Sequence, residues 1–392
     1  MKKLYYIGDV GRPGTAMNIH AQNIARLFRK LGYETLFICR GNSAGLPEKE
    51  QQEGFSYLFT KQSITIPKLR AVEMRWEDCF GTKISRLFKK TADKEKPDLV
   101  VMYDYSGESQ ILEYCKRNNI PFVLERVDWF DKETYSIIEK HTVYPMEENC
   151  KKSIDFGTDG VIAISSFLFD YYNKAGMNVL QIPPIFYQDW NKEIKRYGPM
   201  LRLVYAGSLG SGMKDQILPM IRAVAKVNTE EKRILFDLVG ISETELEKAT
   251  GESNWGEQGI ILHGRLSHDE TLKIVEKADF GVLLRRNMRY AKAGFSTKFA
   301  ECMSNGVAMI CTIVGGADLM VKHGINGILL PDNQETTLTQ SLWSLIAMSD
   351  EEILAIRKNA YNTAKIAFNP DTYVEKLKAF IATAYQNSCL ND

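Results

Sequence analysis

The stretch "GFSTKFAECMSNGVAMI", Gly294 to Ile310, decides how this chain is read. Ser296 is placed to cap a helix, because a Ser side chain accepts a hydrogen bond from a backbone N–H just ahead of it. Gly306 is placed to end that helix, since glycine takes the left-handed conformation freely. Val307 to Ile313 then reads as a buried strand. A short helix feeding an apolar strand is the repeating step of a parallel α/β sheet. Lys298 and Glu301 stand three apart and project from one helical face. Two readings fit them: an incidental ion pair on a capped helix, or a site for a ligand that is anionic at one end and rich in hydroxyls at the other.

The same grammar extends outward. "KLYYIGD" reads as the first strand, followed by the Gly/Pro loop "VGRPGTA" and a helix over Met17–Leu31. "ETLFICR", "DLVVMYD", "PFVLE", "DGVIAIS" and "NVLQIPP" continue the series. From Ile182 to Met200 the character turns irregular, with three prolines and many aromatics, the mark of a connection. A second series follows: "LRLVYAG", "ILFDLVG", "GIILHG", "DFGVLL", "VAMICTI" and "NGILLP". "SHDE" (Ser267–Glu270) opens one intervening helix as a capping box. The expected architecture is α/β, two doubly wound parallel-sheet domains facing a cleft. Residues 1–185 form the first domain, 186–200 the linker and 201–368 the second domain. Residues 369–392 form a final helix that packs back on the first domain.

The chain has 392 residues and a net charge of +1, so no overall field draws it to nucleic acid. The run Thr82–Lys96 holds six Lys or Arg against two acids. It reads either as a solvated helix face or as a contact for an anionic membrane. The seven cysteines are scattered and form no CxxC, which suits a reducing compartment and argues against a zinc site. No apolar run nears the ~20 residues a bilayer-crossing helix needs. The apolar stretch behind Met1-Lys2-Lys3 is too short for a signal core, so a cytoplasmic protein is expected.

Open parallel sheets bind ligands beyond the carboxyl ends of their strands. Three loops of the second half lie there: Gly207–Lys214, which opens with Gly207 and Ser208, Leu283–Asn287, and the opening stretch. The first has three glycines and then Lys214 just before a helix. It fits neither Gly-Lys-Ser/Thr nor GxGxxG, so a phosphate cradle and a flexible turn both remain open. Arg285 and Arg286 follow an apolar strand and suit either a phosphate clamp or a surface ion pair. Backbone N–H groups near Thr297 and Lys298 would face an anion at the helix start, and Glu301 could accept from vicinal hydroxyls. A diphosphate beside ribose has that shape.

These residues resemble the retaining GT-B glycosyltransferases of family 4, glycosyl transferases group 1. Ser296, Lys298, Glu301 and Gly306 match the spacing of the variant motif SPxKxxEYxAxGxPVI, seen in enzymes of bacterial surface-polysaccharide assembly. "VGGADLMVKHGINGILLPD" (Val314–Asp332) is similar to the family's GG…E…G-NG-L stretch, and "YAGSLG…K" to its diphosphate loop. Three positions depart. Ala293 stands at the first Glu of the family's ExxxxxxxE pattern, Thr297 at its Pro, and Asp318 where Glu is common.

The resemblance implies transfer of a hexosyl unit from a nucleoside diphosphate sugar, commonly UDP, to a hydroxyl with retention. Lys214, Lys298 and an Arg of the 285–286 pair would stabilise the departing diphosphate. Gly14 and Thr15 would approach it from the first domain. Asp128, in "ERVDWFD", would stand beside the transferred sugar if it is more than a strand-end residue. His20 would touch the acceptor if it is not merely packed locally. The acceptor would be a glycan or lipid-linked sugar, with a peripheral contact at the inner membrane face. No D-x-D or HExxH occurs, so no metal and no cofactor are expected. Two rivals share the architecture: a nucleotide-sugar 2-epimerase and a non-catalytic sugar-nucleotide binder.

Overall fold

In the computed structural model, residues 1–10, 14–41, 49–61, 67–103, 105–209 and 215–390 are described. They divide into two compact units. Met1–Ile185 and Pro370–Asp392 form the first, and Phe186–Asn369 the second.

The first unit is built on β1 (Lys2–Ile7), β2 (Tyr33–Cys39), β3 (Lys49–Gln52), β4 (Phe55–Phe59), β5 (Leu99–Met102), β6 (Phe122–Arg126), β7 (Gly160–Ala163) and β8 (Val179–Gln181). Their order is β3-β4-β2-β1-β5-β6-β7-β8. All pairings are parallel except β3 with β4, a hairpin turned by Glu53 and Gly54, both at positive φ. The central strands β5, β6 and β7 are buried along their whole length. A parallel strand covered by helices on both faces reads as such a continuous apolar run. The Val374–Leu390 helix contributes Leu377, Phe380, Ile381 and Ala384 to the core that holds Leu4, Tyr6 and Phe28.

The second unit is built on β9 (Leu201–Ala206), β10 (Ile234–Val239), β11 (Ile260–Gly264), β12 (Phe280–Leu283), β13 (Ala308–Thr312) and β14 (Gly327–Leu330). The order is β11-β10-β9-β12-β13-β14, and every pairing is parallel. In sequence terms this is 3-2-1-4-5-6, so winding reverses between β9 and β12. The crevice past their carboxyl ends is where such a sheet receives a ligand. Residues 186–200 contain no helix or strand and pack into this unit. Trp190 and Ile194 join its core, and Arg196 bonds Asp279.

The opening stretch folds as a cap, a helix and a strand. Ser296 accepts from Phe299 N (3.3 Å), the helix spans Thr297–Ser304, and Phe299, Ala300, Cys302 and Met303 face the core. β13 ends at Thr312, one residue short of the expected Ile313. A bend from Val314 N to Thr312 O turns Ile313 outward, where it is 49% exposed. Gly306 has φ +70°, and a methyl there would collide with Ile194. Its carbonyl accepts from the buried Arg357 Nε at 2.8 Å. Gly306→Ala is therefore expected to cost about 1–3 kcal/mol in a urea unfolding curve. An unchanged midpoint would remove this close approach from the account.

Candidate functional site

Three chain segments meet at the carboxyl edge of β9 and β12. β9 delivers Tyr205 and Gly207, β12 delivers Arg285, and the Thr297–Ser304 helix presents Lys298 in its first turn. Asp215, at the far end of the glycine loop, binds them together. Its carboxylate accepts from Arg285 Nε at 2.8 Å and from the Lys298 ammonium, and Tyr205 Oη lies 3.2 Å away. The Lys298 ammonium also bonds Tyr205 Oη (3.2 Å) and stands 4.5 Å from the centre of the Tyr205 ring.

This geometry sets the electrostatics. Burial opposes ionisation of Asp215. Lys298 and Arg285 overcome it and hold the carboxyl at about 2, below its usual 3.8. Asp215 thus stays charged and fixes two flexible cations at one point. Gly207 makes room for this: a methyl there would collide with the ammonium of Lys298 and the hydroxyl of Tyr205. Arg285 is held from behind as well, its backbone N–H donating to Thr312 Oγ1 and its carbonyl accepting from it, both at 2.9 Å.

Glu301 lies nearly one turn beyond Lys298. Burial pushes its carboxyl above the usual range, against the opposing charges of His268 and Lys298. His268 Nε2 stands 3.8 Å from Glu301 Oε1, brought there by the capping box of Ser267 and Glu270. A carboxylate in this setting is a strong acceptor for hydroxyl donors.

Other expected residues fall in different places. Lys214 lies outside the described residues. Arg286 separates from Arg285: it is exposed and sits against the Gln216 carboxamide, 2.6 Å from Nε once the amide oxygen faces it. Ser208 uses its carbonyl to accept from Tyr205 Oη at 3.0 Å. Ser296 and Thr297 form the helix start itself.

In the first unit, Gly14 (φ +72°) precedes Thr15, whose hydroxyl caps the Ala16–Lys30 helix by accepting from Asn18 N at 3.2 Å. His20 is buried, with Nε2 2.5 Å from Glu125 Oε1, and Tyr6 Oη donates to the same carboxylate. Asp128 follows β6 and lies 3.4 Å from Tyr105 Oη. The loop carrying it is anchored by the fully buried Arg126, which donates to Asp155 (2.9 and 2.6 Å) and Glu108 (2.5 Å). Burial raises Glu108 to about 8 despite the opposing charge of Arg126.

Sequence reasoning missed Asp215, Tyr205 and His268. Asp215 is a lone acid, and its partners lie 70 and 83 residues further along the chain. Tyr205 looked like an ordinary strand residue. His268 read only as part of a capping box. Among the described residues no group of three or more His, Cys, Asp or Glu is arranged to hold a metal ion. Nor is any described helix long and apolar enough to cross a membrane.

Residues 201–348 match the family described as glycosyl transferases group 1. Over 251 residues the chain is 26% identical to an uncharacterized glycosyltransferase of Methanocaldococcus jannaschii. That match spans 60% of this chain and 61% of the relative's length. Among solved structures, sucrose-phosphate synthase from Thermosynechococcus elongatus superposes with a TM-score of 0.75 at 15% identity, over 98% of this chain and 100% of the other. HepE of Anabaena, crystallised with UDP, gives a TM-score of 0.69 at 18% identity over the same shares. The trehalose-phosphate synthase of Burkholderia vietnamiensis gives 0.65 at 10% identity over 98% of each chain. The fold is that of GT-B glycosyltransferases: two α/β units on parallel sheets.

Proposed function

We propose that this chain is a retaining glycosyltransferase. It moves a hexosyl unit from a nucleoside diphosphate sugar, a UDP-sugar first among them, to a hydroxyl of a glycan or lipid-linked acceptor. The pathway is assembly of a polysaccharide or other glycan. One observation carries the reading: Lys298 and Arg285 converge on one carboxylate beside a helix start, at the point where the second sheet reverses its winding. The family match over residues 201–348 supports it, and the relative bound to UDP supports the choice of base.

The chemistry follows from charge. The bond from the anomeric carbon to the diphosphate oxygen breaks, and negative charge grows on the leaving diphosphate. Cations fixed before the reaction stabilise that charge without the cost of reorganising solvent. Lys298, Arg285 and the backbone N–H groups of the Thr297–Ser304 helix supply it, with Lys214 as a further donor. Asp215 is committed to both cations and acts by positioning them. Glu301 is assigned to the ribose hydroxyls. Gly14 and Thr15 are assigned to the donor diphosphate, Asp128 to the transferred sugar and His20 to the acceptor.

A melting-temperature screen with UDP, GDP, ADP and CMP tests the donor half. One nucleoside diphosphate is expected to raise the melting temperature. Glu301→Ala should lose most of that rise, by about tenfold in affinity for a charge-assisted bond pair. If none of the four shifts the transition, the donor assignment fails. Release of free sugar or a glycosylated product would exclude the non-catalytic reading, and release of an epimer at C2 would favour the epimerase.

A further inference from the structure

Asp128 sits at the end of a column of side chains in the first unit. Two cations stand over the ring of Tyr105: Arg126 Cζ at 4.2 Å from its centre and Lys151 Nζ at 3.9 Å. The Tyr105 hydroxyl reaches both the carbonyl and the carboxylate of Asp128, each at 3.4 Å. One group thus touches the backbone and the side chain of the same residue. The contact is long, as active-site hydrogen bonds often are before a ligand tightens them. Asp128 itself keeps part of its surface exposed.

Lys151 is the costly member of the column. Its side chain is fully buried, and Nζ makes no hydrogen bond among the described residues. The Glu147 carboxylate lies 3.6 Å away, at the edge of ion-pair range. The helix Val143–Asn149 widens into a π turn over Cys150–Ile154, which turns Lys151 inward while Lys152 stays exposed and pairs with Glu148. Such turns recur at functional sites. Burial pushes the Lys151 ammonium below its usual 10.5, and Asp128, then Glu147, oppose that fall. A methionine would fill a similar volume with no charge to desolvate, so packing alone does not account for a lysine here.

Other bonds hold the same loop. Trp129 Nε1 donates to Glu148 Oε1 at 2.6 Å, and the Trp129 ring stands 5.9 Å from Lys151 Nζ. Arg126 is committed to Asp155 and Glu108, so it supports the Tyr105 ring while its own charge is met by those two acids. The charge that reaches Asp128 is that of Lys151. Desolvation, with the Asp128 charge adding to it, holds the Tyr105 hydroxyl well above its usual 10, so it keeps its proton and donates.

We infer that Tyr105 and Lys151 are positioning residues for the proposed transfer: they fix the Asp128 carboxylate as a charge-assisted acceptor for hydroxyls of the transferred sugar. The Tyr105 hydroxyl sets its direction, and the buried ammonium favours its charge. The cost of burying Lys151 is the cost of having that acceptor in place before the sugar arrives. The inference rests on the sugar-side role proposed for Asp128.

The test measures release of nucleoside diphosphate from UDP-glucose, UDP-galactose, UDP-N-acetylglucosamine and GDP-mannose by the full chain. The donor turned over fastest is then used for every variant. Tyr105→Phe keeps the ring and removes only the hydroxyl, and it should lower kcat by about threefold to tenfold. Lys151→Met keeps the volume and removes the charge, and it should lower kcat by about tenfold or more. Both variants should bind the free nucleoside diphosphate with wild-type affinity, because it carries no sugar. In an Asp128→Ala background neither substitution should slow release further, since both act through Asp128. Wild-type kcat in either single variant, with Asp128→Ala slow, would overturn the inference and leave Asp128 in its role. Losses that multiply in the Asp128→Ala background, or weakened binding of the free nucleotide, would show a merely structural effect and overturn it as well. Wild-type kcat in Asp128→Ala would remove the sugar-side role itself, and no release from any of the four donors would count against the proposed transferase; the inference falls with either.

Discussion

Replacing Lys298 with alanine is expected to slow sugar transfer by about 10²- to 10³-fold, the usual loss when one preorganised donor to a developing negative charge is removed. The expectation rests on how that ammonium is held. It bonds Asp215 and Tyr205 at once, over the ring of Tyr205, and Gly207 leaves it the space. A lysine held in this way spends little entropy on meeting a diphosphate. Once it is gone, Arg285 remains on Asp215 as a nearly cancelled pair. The site then offers a leaving diphosphate almost no net positive charge from these three groups. Lys298→Arg should recover only part of the loss, because the longer planar guanidinium does not fit the space beside Gly207. The check is turnover at saturating donor with each variant. A Lys298→Ala enzyme at wild-type turnover would remove Lys298 from the reaction.

Asp215→Asn is expected to change both stability and its pH dependence. In the folded protein the Asp215 carboxyl is held at about 2, against 3.8 for the free side chain. A depressed carboxylate pKa contributes stability that is fully present above the unfolded value. That stability is lost as pH falls from about 4 toward 2, which corresponds to about 2 kcal/mol. The asparagine variant lacks this increment at neutral pH. Its urea midpoint at pH 7 should lie below that of the wild type, and the gap should narrow as pH falls below 4. A constant gap across that range would mean that the asparagine disturbs packing rather than charge. The same variant should bind nucleoside diphosphate less tightly, because both cations lose their anchor. Tighter binding would instead identify Asp215 as a competitor for the phosphate.

The fold was largely legible because parallel strands buried on both faces announce themselves as short apolar runs, as in "LVVM" and "AMICT". The Ser296 cap and the Gly306 stop were legible for the same local reason. What escaped was non-local or set by side-chain direction. Nothing near Asp215 in the sequence marks it as the partner of Lys298, 83 residues on. Arg285 and Arg286 are indistinguishable as letters. Only the strand end decides that one turns to Asp215 and the other to Gln216. His20 pairs with Glu125 across 105 residues, a contact that no local pattern around either residue announces.

Calorimetric titration of UDP and GDP into the wild type and into Lys298→Ala tests the central claim most directly. One of the two nucleotides should bind the wild type, and its affinity should fall by at least about tenfold in the variant, the value of one charge-assisted contact to phosphate. Equal affinity for wild type and variant would contradict the placement of a donor diphosphate on Lys298, and the carboxyl edge of β9 and β12 would then be a site for something else.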